Sequence, residues 1–372
     1  MVQTAHFSQK CVNLHPIVYL PPGDTLSPPS ISDMPDIADI LENDILRTSP
    51  ELLATLLKDH TTSRGDDVCN IFWATSDYEY LGTGYGYSDP ILPELITGRN
   101  GQVIMPRILK RKDTQSARVR DMAEVFTPSW VCNAQNNLID EAWFGRKDVF
   151  NTEYTSEDGT HGWKTNPDKI TFPEGKTWKD YVRDTRLEIT CGEAPYIASR
   201  YDATTGAIIP IGERIGLLDR KLRVVSENTD ASGEWLEAAQ EAYKSTYAYE
   251  WQGDSLLIAR ESMLYSFIEY YRAKFGKNPL LKSTNYIAYI ISWNVWQMDG
   301  MKGVVPGSCK DKVRTEVSLF GESKEIITPC EGCRTDNIFK HNGAYCLIKD
   351  WRAKDPQTGR KGKRIKYIDL LK

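Results

Sequence analysis

A chain of 372 residues that is 40% hydrophobic and 26% charged can bury a large core and is not a disordered polymer. Its net charge of −5 gives no global attraction to nucleic acid, so any phosphate contact must come from local basic strips. No apolar run approaches the roughly 20 residues that span a bilayer, and the opening Met-Val-Gln-Thr-Ala-His lacks the basic-then-apolar order of a secretory leader. A cytoplasmic protein with no membrane partner is expected.

Residues 1–35, rich in Pro and Ser, read as an extended lead-in. Residues 36–115 form an N-terminal accessory region. Ile37, Ile40, Leu41 and Ile45, then Leu52, Leu53, Leu56 and Leu57, recur at helical spacing and predict a helical pair. Asp36 would cap the first helix and Ser49-Pro50 would open the second. Residues 68–73 and 103–109 read as strands. The aromatic, Gly-containing run 78–87 between them is either a packed turn or a base-stacking loop. Two basic strips, residues 107–112 with Arg118 and Arg120, and residues 360–366, are either phosphate contacts or solvated faces.

Residues 116–304 are expected to be the core. Thr127-Pro128-Ser129 signals a helix running to Phe144, whose free N–H groups would favour an anion such as a carboxylate. Residues 150–178 are polar and turn-rich and read as a connecting loop or insertion, followed by a helical stretch over 176–186. Then comes Leu187-Glu-Ile-Thr-Cys-Gly-Glu-Ala-Pro-Tyr196, a short strand ending in a small-residue turn. Gly192 can take a positive φ there and admit a ligand closely. The carboxylates of Glu188 and Glu193 can grip an amino group or a ribose hydroxyl. By itself, a glycine after a strand is more often a simple turn. Helices are expected over 214–222 and 235–243, a strand over 247–250, an amphipathic helix over 255–275, and an apolar segment over 287–296 that ends at Asp299-Gly300. This alternation implies a doubly wound α/β sheet, with its ligand at the carboxyl ends of the strands. Glu188 or Glu193, Glu250 and Asp299 all fall near such ends.

Residues 305–372 carry a crowd of cysteines and two possible terminal strands, 345–348 and 364–371. Cys330-x-x-Cys333 with Cys309, His341 and Cys346 nearby has zinc-like spacing. Five candidates compete for four places. Cys309, Cys330, Cys333 and Cys346 are the preferred set, with His341 as the alternate fourth ligand. Four protein ligands would make the site a structural Zn2+ knuckle.

Several of these segments carry a resemblance. Ala123-Glu-Val-Phe-Thr-Pro128 resembles the Phe-x-Thr-Pro motif of DNA adenine methyltransferases. Glu188-Ile-Thr-Cys-Gly-Glu-Ala194 is similar to their S-adenosyl-L-methionine motif, Asp/Glu-Pro-x-Cys-Gly-x-Gly. Tyr249-Glu-Trp-Gln-Gly253 resembles their ribose-binding strand end, and Asn294-Val-Trp-Gln-Met-Asp299 the segment whose Asp contacts the adenine amine. The order is the family's, and the fuller runs 124–137 and 187–222 look like methylase (M) subunits of bacterial restriction–modification systems. The resemblance covers roughly residues 65–372. It implies a Rossmann-like S-adenosylmethionine-dependent methyltransferase fold with an N-terminal helical/β extension, acting on adenine N6 in DNA within a restriction–modification or related phage-defence system. It also implies roles. Phe126, Thr127 and Pro128 would cover the methionine end, and Glu188, Thr190, Gly192 and Glu193 would line the methionine and ribose side. Glu250 would take the ribose hydroxyls, Trp251 would pack on the adenine and Asp299 would hold its amine.

Three departures stand out. Ile189 replaces the motif's Pro, Ala194 replaces its last Gly, and the catalytic Asn/Asp-Pro-Pro-Tyr/Phe has no counterpart. Asn278-Pro279-Leu280-Leu281 and Lys349-Asp-Trp351 are poor substitutes, so no catalytic residue is identified. The chain also ends where the family's catalytic strand is expected. Four readings stay open: a split enzyme whose partner chain supplies that motif and target recognition, a catalytically silent specificity, assembly or sensing subunit, a complete enzyme with atypical chemistry, and an amine methyltransferase acting on protein or RNA.

Overall fold

A computed structural model describes residues 38–110, 115–116, 118–119, 127–317, 323–356 and 358–372. The lead-in, Asp36 and Phe126 lie outside the described residues. Helices Glu42–Thr48 and Pro50–Leu57 form the expected pair, with Pro50 at the first helical position, where its missing N–H costs nothing. They lead into an antiparallel hairpin, β1 (Lys58–Arg64) and β2 (Asp67–Asn70). Helix Ser129–Phe144 follows, then a second hairpin, β3 (Asn151–Thr155) and β4 (His161–Thr165), where the sequence reads as a connecting loop or insertion.

The central sheet is small and parallel. Helix Trp178–Arg183 enters β5 (Arg186–Glu188). Helices Leu217–Asn228 and Ser232–Lys244 cross to β6 (Thr246–Glu250). Helices Gly253–Phe275 and Leu281–Asn294 cross to β7 (Val295–Gln297). The strand order is β5-β6-β7, and no strand among the described residues pairs with the outer edge of β5. Parallel neighbours need long crossovers, and each pair of helices supplies one. Side chains alternate across a strand. With Leu187 opposite Tyr247 and Tyr249 opposite Trp296, those four residues share one face of the sheet. Glu188, Ala248, Glu250, Val295 and Gln297 share the other.

Helix Gly253–Phe275, expected to be amphipathic, is buried at every position from Gly253 to Ile268. It is the core helix, packed with Leu53, Leu56 and Leu57 of the N-terminal pair and with Ile287 and Ile290 of the last crossover helix. Arg260 survives burial on it because its guanidinium is paired. Arg260 donates to the Val295 carbonyl at 2.7 and 2.9 Å, to the Lys58 carbonyl at 3.1 Å, and to the Leu56 carbonyl.

Two expectations for residues 103–118 are corrected. In place of a strand over 103–109 there are turns and one 3-10 turn, Arg107–Leu109. Pro106 has no N–H for a ladder, and the Arg107 N–H is spent on Glu193 Oε1 at 2.6 Å. Of the first basic strip, the described Lys110 and Arg118 do not lie on a solvated face either. Lys110 Nζ lies 2.9 Å from Asp254 Oδ2, Arg118 donates to the same oxygen and to Asp77, and Tyr78 OH donates to it at 2.7 Å. Those cations are consumed inside the protein.

The second strip lies in the terminal hairpin, β10 (Leu347–Lys354) and β11 (Lys361–Lys366). This hairpin corresponds to the two predicted terminal strands, although residues 367–371 form a 3-10 turn. A further hairpin, β8 (Lys312–Val317) and β9 (Ser323–Thr328), precedes the short helix Glu331–Thr335. Among the described residues no helix is long and apolar enough to cross a membrane.

One buried acid makes a pH prediction. Glu42 is 1% exposed, and neither carboxylate oxygen has a hydrogen-bond partner. Burial pushes its pKa up to about 9, outweighing its own backbone N–H, and Asp39 adds to the rise. A carboxyl raised on folding favours the fold below its unfolded pKa and progressively loses that contribution as pH climbs toward the folded value. Glu42→Gln is therefore expected to raise Tm more at pH 8 than at pH 5, read by thermal melts of both proteins at the two pH values.

Candidate functional site

The carboxyl ends of the three parallel strands form the first site. Glu188 is the last residue of β5 and Glu250 the last of β6, and both lie on the same face. The turn after β5 hooks onto β6: Cys191 N–H donates to the Tyr249 carbonyl at 2.9 Å, and Gly192 N–H to Glu250 Oε2 at 2.7 Å. This turn reverses through three left-handed residues, Thr190 (φ 45°), Gly192 (φ 54°) and Ala194 (φ 59°). The position at which the resembled motif has a glycine and this chain has Ala194 is thus one where a Cβ is strained. Around Gly192 the space is open, with no atom within 4 Å of where a Cβ would stand.

The acids are used differently. Glu188 Oε1 accepts the Tyr196 N–H at 3.4 Å, while its buried Oε2 has no hydrogen-bond partner. Burial pushes the Glu188 carboxyl well up against the pull of the Tyr196 and Ile197 N–H groups, and the neighbouring Glu250 adds to the rise. Burial also raises Glu250, whose Oε1 accepts Gln252 N–H at 3.2 Å. Glu193 is spent on structure: Oε1 holds the Arg107 N–H and Oε2 the Tyr201 hydroxyl, each at 2.6 Å. Asp299 lies just past β7, buried, and accepts Met301 N–H at 3.1 Å and Lys302 Nζ at 3.2 Å. Trp251 donates its indole N–H to Tyr87 OH at 3.1 Å. Glu188, Glu250 and Asp299 thus lie at the same end of adjacent strands, while the Glu193 carboxylate is turned into the protein.

Thr127 and Pro128 precede helix Ser129–Phe144, and Thr127 meets the Tyr196 hydroxyl. The predicted anion at this helix entry is Asp202, whose Oδ2 accepts Ser129 N–H at 2.8 Å. Burial pushes Asp202 up, but the Thr204 hydroxyl and the Ser129 N–H outweigh it and bring its pKa to about 2. Sequence reasoning missed Tyr196, Asp202 and Gln297. Gln297 is the hidden clamp: its side-chain amide pairs with both backbone groups of Phe72, at 2.8 and 3.0 Å, and reaches the Trp251 carbonyl at 2.8 Å. Only its place in the Trp-Gln-Met-Asp run could have marked it.

The second site is the cysteine cluster. Cys309, Cys330, Cys333 and His341 bring their ligand atoms within 4.8 Å of one another. His341 Nδ1 lies 3.6 Å from each of the three sulfurs. A tetrahedral ion with metal–sulfur bonds of about 2.3 Å and a metal–nitrogen bond of about 2.05 Å would set that separation at about 3.6 Å. The group could therefore hold a metal ion, and its geometry is compatible with zinc.

Local structure builds the site. Cys330 caps helix Glu331–Thr335, and its Sγ accepts Cys333 N–H at 3.3 Å. The Asn342 side chain clamps the backbone of Lys310, at 3.0 and 2.7 Å, and so ties the Cys309 loop to the His341 loop. Gly332 must be glycine for space: a Cβ there would stand 2.5 Å from His341 Nδ1. Burial pushes Cys330 up, but backbone N–H groups of Asn342 and Cys333 outweigh it and bring its pKa to about 6, which suits a thiolate ligand.

The preferred sequence-based set needs one correction, because Cys346 is not in the cluster. Its Sγ donates to the Gln297 carbonyl at 3.4 Å, and it packs, fully buried, with Trp296, Met298 and Val305. The backbone sets this, since Cys346 N–H bonds the Gly303 carbonyl at 3.0 Å and turns the thiol toward the sheet. His341 takes the fourth place.

No protein-family model matches the chain, and neither a curated protein nor a solved structure shows significant similarity to it.

Proposed function

We propose that this chain is the S-adenosylmethionine-binding half of a split DNA adenine-N6 methyltransferase of a restriction–modification or related phage-defence system. The reading rests on one observation: Glu188 and Glu250 end adjacent parallel strands on one face, joined through the Gly192 N–H. The residues suit the cofactor. The open space at Gly192 would admit it, and the unpartnered Glu188 Oε2 is a buried acceptor awaiting a donor. Glu250 keeps lone pairs for ribose hydroxyls, and Asp299 would hold the adenine amine. Bound there, the cofactor would supply the methyl group. The split is supported by the outer edge of β5, with which no strand among the described residues pairs; there Leu187, and Ile189 just beyond the strand, are 42% and 61% exposed. An exposed apolar edge invites another strand, and the partner would bring it together with the missing Asn-Pro-Pro-Tyr. The cysteine cluster belongs to the same reading as a structural zinc knuckle, four protein ligands leaving no position for water.

The rival is a catalytically silent subunit, favoured by the capture of Glu193 and by the absent catalytic motif. Calorimetry and methylation assays separate them. The purified chain is expected to bind S-adenosylmethionine, and Gly192→Leu to weaken binding at least about tenfold by filling the open space. Methyl transfer to DNA is expected only with the product of an adjacent gene. Cofactor binding without transfer in either case would favour the silent subunit, and no binding by the wild-type chain would sink both cofactor readings.

A further inference from the structure

We propose that the cleft between the aromatic face of the sheet and the C-terminal hairpin binds single-stranded nucleic acid. The cleft measures about 950 Å³. Leu187 and Tyr247 line it from the sheet, Tyr286 and Tyr289 from helix Leu281–Asn294, Trp351 from β10 and Lys361 from β11. Leu187 and Tyr247 belong to the face opposite Glu188 and Glu250, so this is a separate site. It needs neither cofactor nor methyl transfer, and in that respect goes beyond the reading above.

Charge chooses the ligand class. On a chain of net charge −5, residues 347–366 hold eight Lys and Arg against two Asp. Seven of the eight, all but Lys349, are exposed. Both acids are tied into turns: Asp350 accepts the Arg352 and Ala353 N–H groups, and Asp355 the Thr358 N–H. Lys349 builds the wall instead, its Nζ 2.6 Å from Tyr289 OH and 4.8 Å from the ring centres of Tyr289 and Trp351. A cationic ribbon beside ring faces is what a single strand uses, with phosphates on the cations and bases stacked on the rings. A duplex keeps its base faces hidden and would use the cations alone. An acidic peptide would likewise leave the rings idle.

The test is fluorescence anisotropy on the full, zinc-loaded chain without S-adenosylmethionine. The probes are a labelled thymidine oligonucleotide of roughly 20 nucleotides and a blunt duplex of the same length, with polyglutamate as competitor. The expected result is tighter binding of the single strand, little displacement by polyglutamate, and affinity that falls steeply between about 50 and about 200 mM NaCl. The double variant Lys361→Glu/Lys363→Glu is expected to bind at least about tenfold more weakly and to flatten the salt slope by about 1.4. Tyr286→Ala, whose ring is 38% exposed, is expected to lose about tenfold with the salt slope unchanged. Melting temperatures equal to wild type would show that both variants fold. Equal affinity for strand and duplex, full displacement by polyglutamate, or variants that bind like wild type would overturn the proposal. Since no cofactor is present, this result and the calorimetry on Gly192 can fail independently.

Discussion

Cys333→Ser is expected to lower zinc affinity by more than about 100-fold, because loss of even an outer partner of a metal ligand costs roughly 10–100-fold. His341→Ala should do the same. The reason is the equal spacing of three sulfurs 3.6 Å from one imidazole nitrogen, the separation that four ligands of one tetrahedral zinc would have. The region has little else to hold it. Val313 and Ile327 of the β8–β9 hairpin are 60% and 57% exposed, so that hairpin buries little of its own apolar surface. Metal loss should therefore open residues 305–345 to limited proteolysis while the parallel sheet stays folded. Cys346→Ala is the control. It should keep its zinc and cost about 1 kcal/mol through lost burial. Zinc content by mass spectrometry decides: retention in Cys333→Ser, or loss in Cys346→Ala, would contradict the ligand assignment.

Asp254→Ala is expected to cost about 3–5 kcal/mol of stability, the range for breaking a buried charge pair from one side. Asp254 is fully buried at the start of the core helix, and its Oδ2 faces Arg118, Lys110 and Tyr78. Removing it leaves two cations, 1% and 7% exposed, without that counter-charge. Burial by itself would push the Asp254 carboxyl up. Arg118 and Lys110 outweigh it and hold the group well below the usual carboxylate range. A carboxyl lowered on folding stabilises the fold above its unfolded pKa and loses that contribution as pH falls toward the folded value. The deficit of Asp254→Ala should therefore be complete at neutral pH and shrink in acid. Urea unfolding at two pH values measures it, and a cost under 1 kcal/mol at pH 7 would mean that the network is not what joins Lys110 and Arg118 to the core helix.

These two sites also mark the limits of reading the chain by pattern. The helix pair at 42–57 was legible because its apolar residues recur every third or fourth position and Ser49-Pro50 marks its break. The strands bearing Glu188 and Glu250 were legible as short apolar runs ending in an acid. Lys110 and Arg118 misled for a simple reason: a Lys or Arg in a basic run looks the same whether water or a buried aspartate faces it. Helix Gly253–Phe275 misled likewise, because its spaced apolar residues read as amphipathic although its polar positions are buried too, Arg260 among them with its partners the carbonyls of distant segments.

What the sequence determined by itself was local: where helices begin, where strands end in carboxylates, and that Cys330-x-x-Cys333 could seat a metal. Those properties depend on neighbours a few residues apart, which the chain order displays directly. Tertiary structure alone decided which of the five soft ligands meet, which acids keep a free oxygen, and which cations remain on the surface. Each of those is a matter of direction as well as distance. Cys346 is five residues from His341, yet one backbone hydrogen bond turns its thiol into the core while the imidazole faces the three sulfurs.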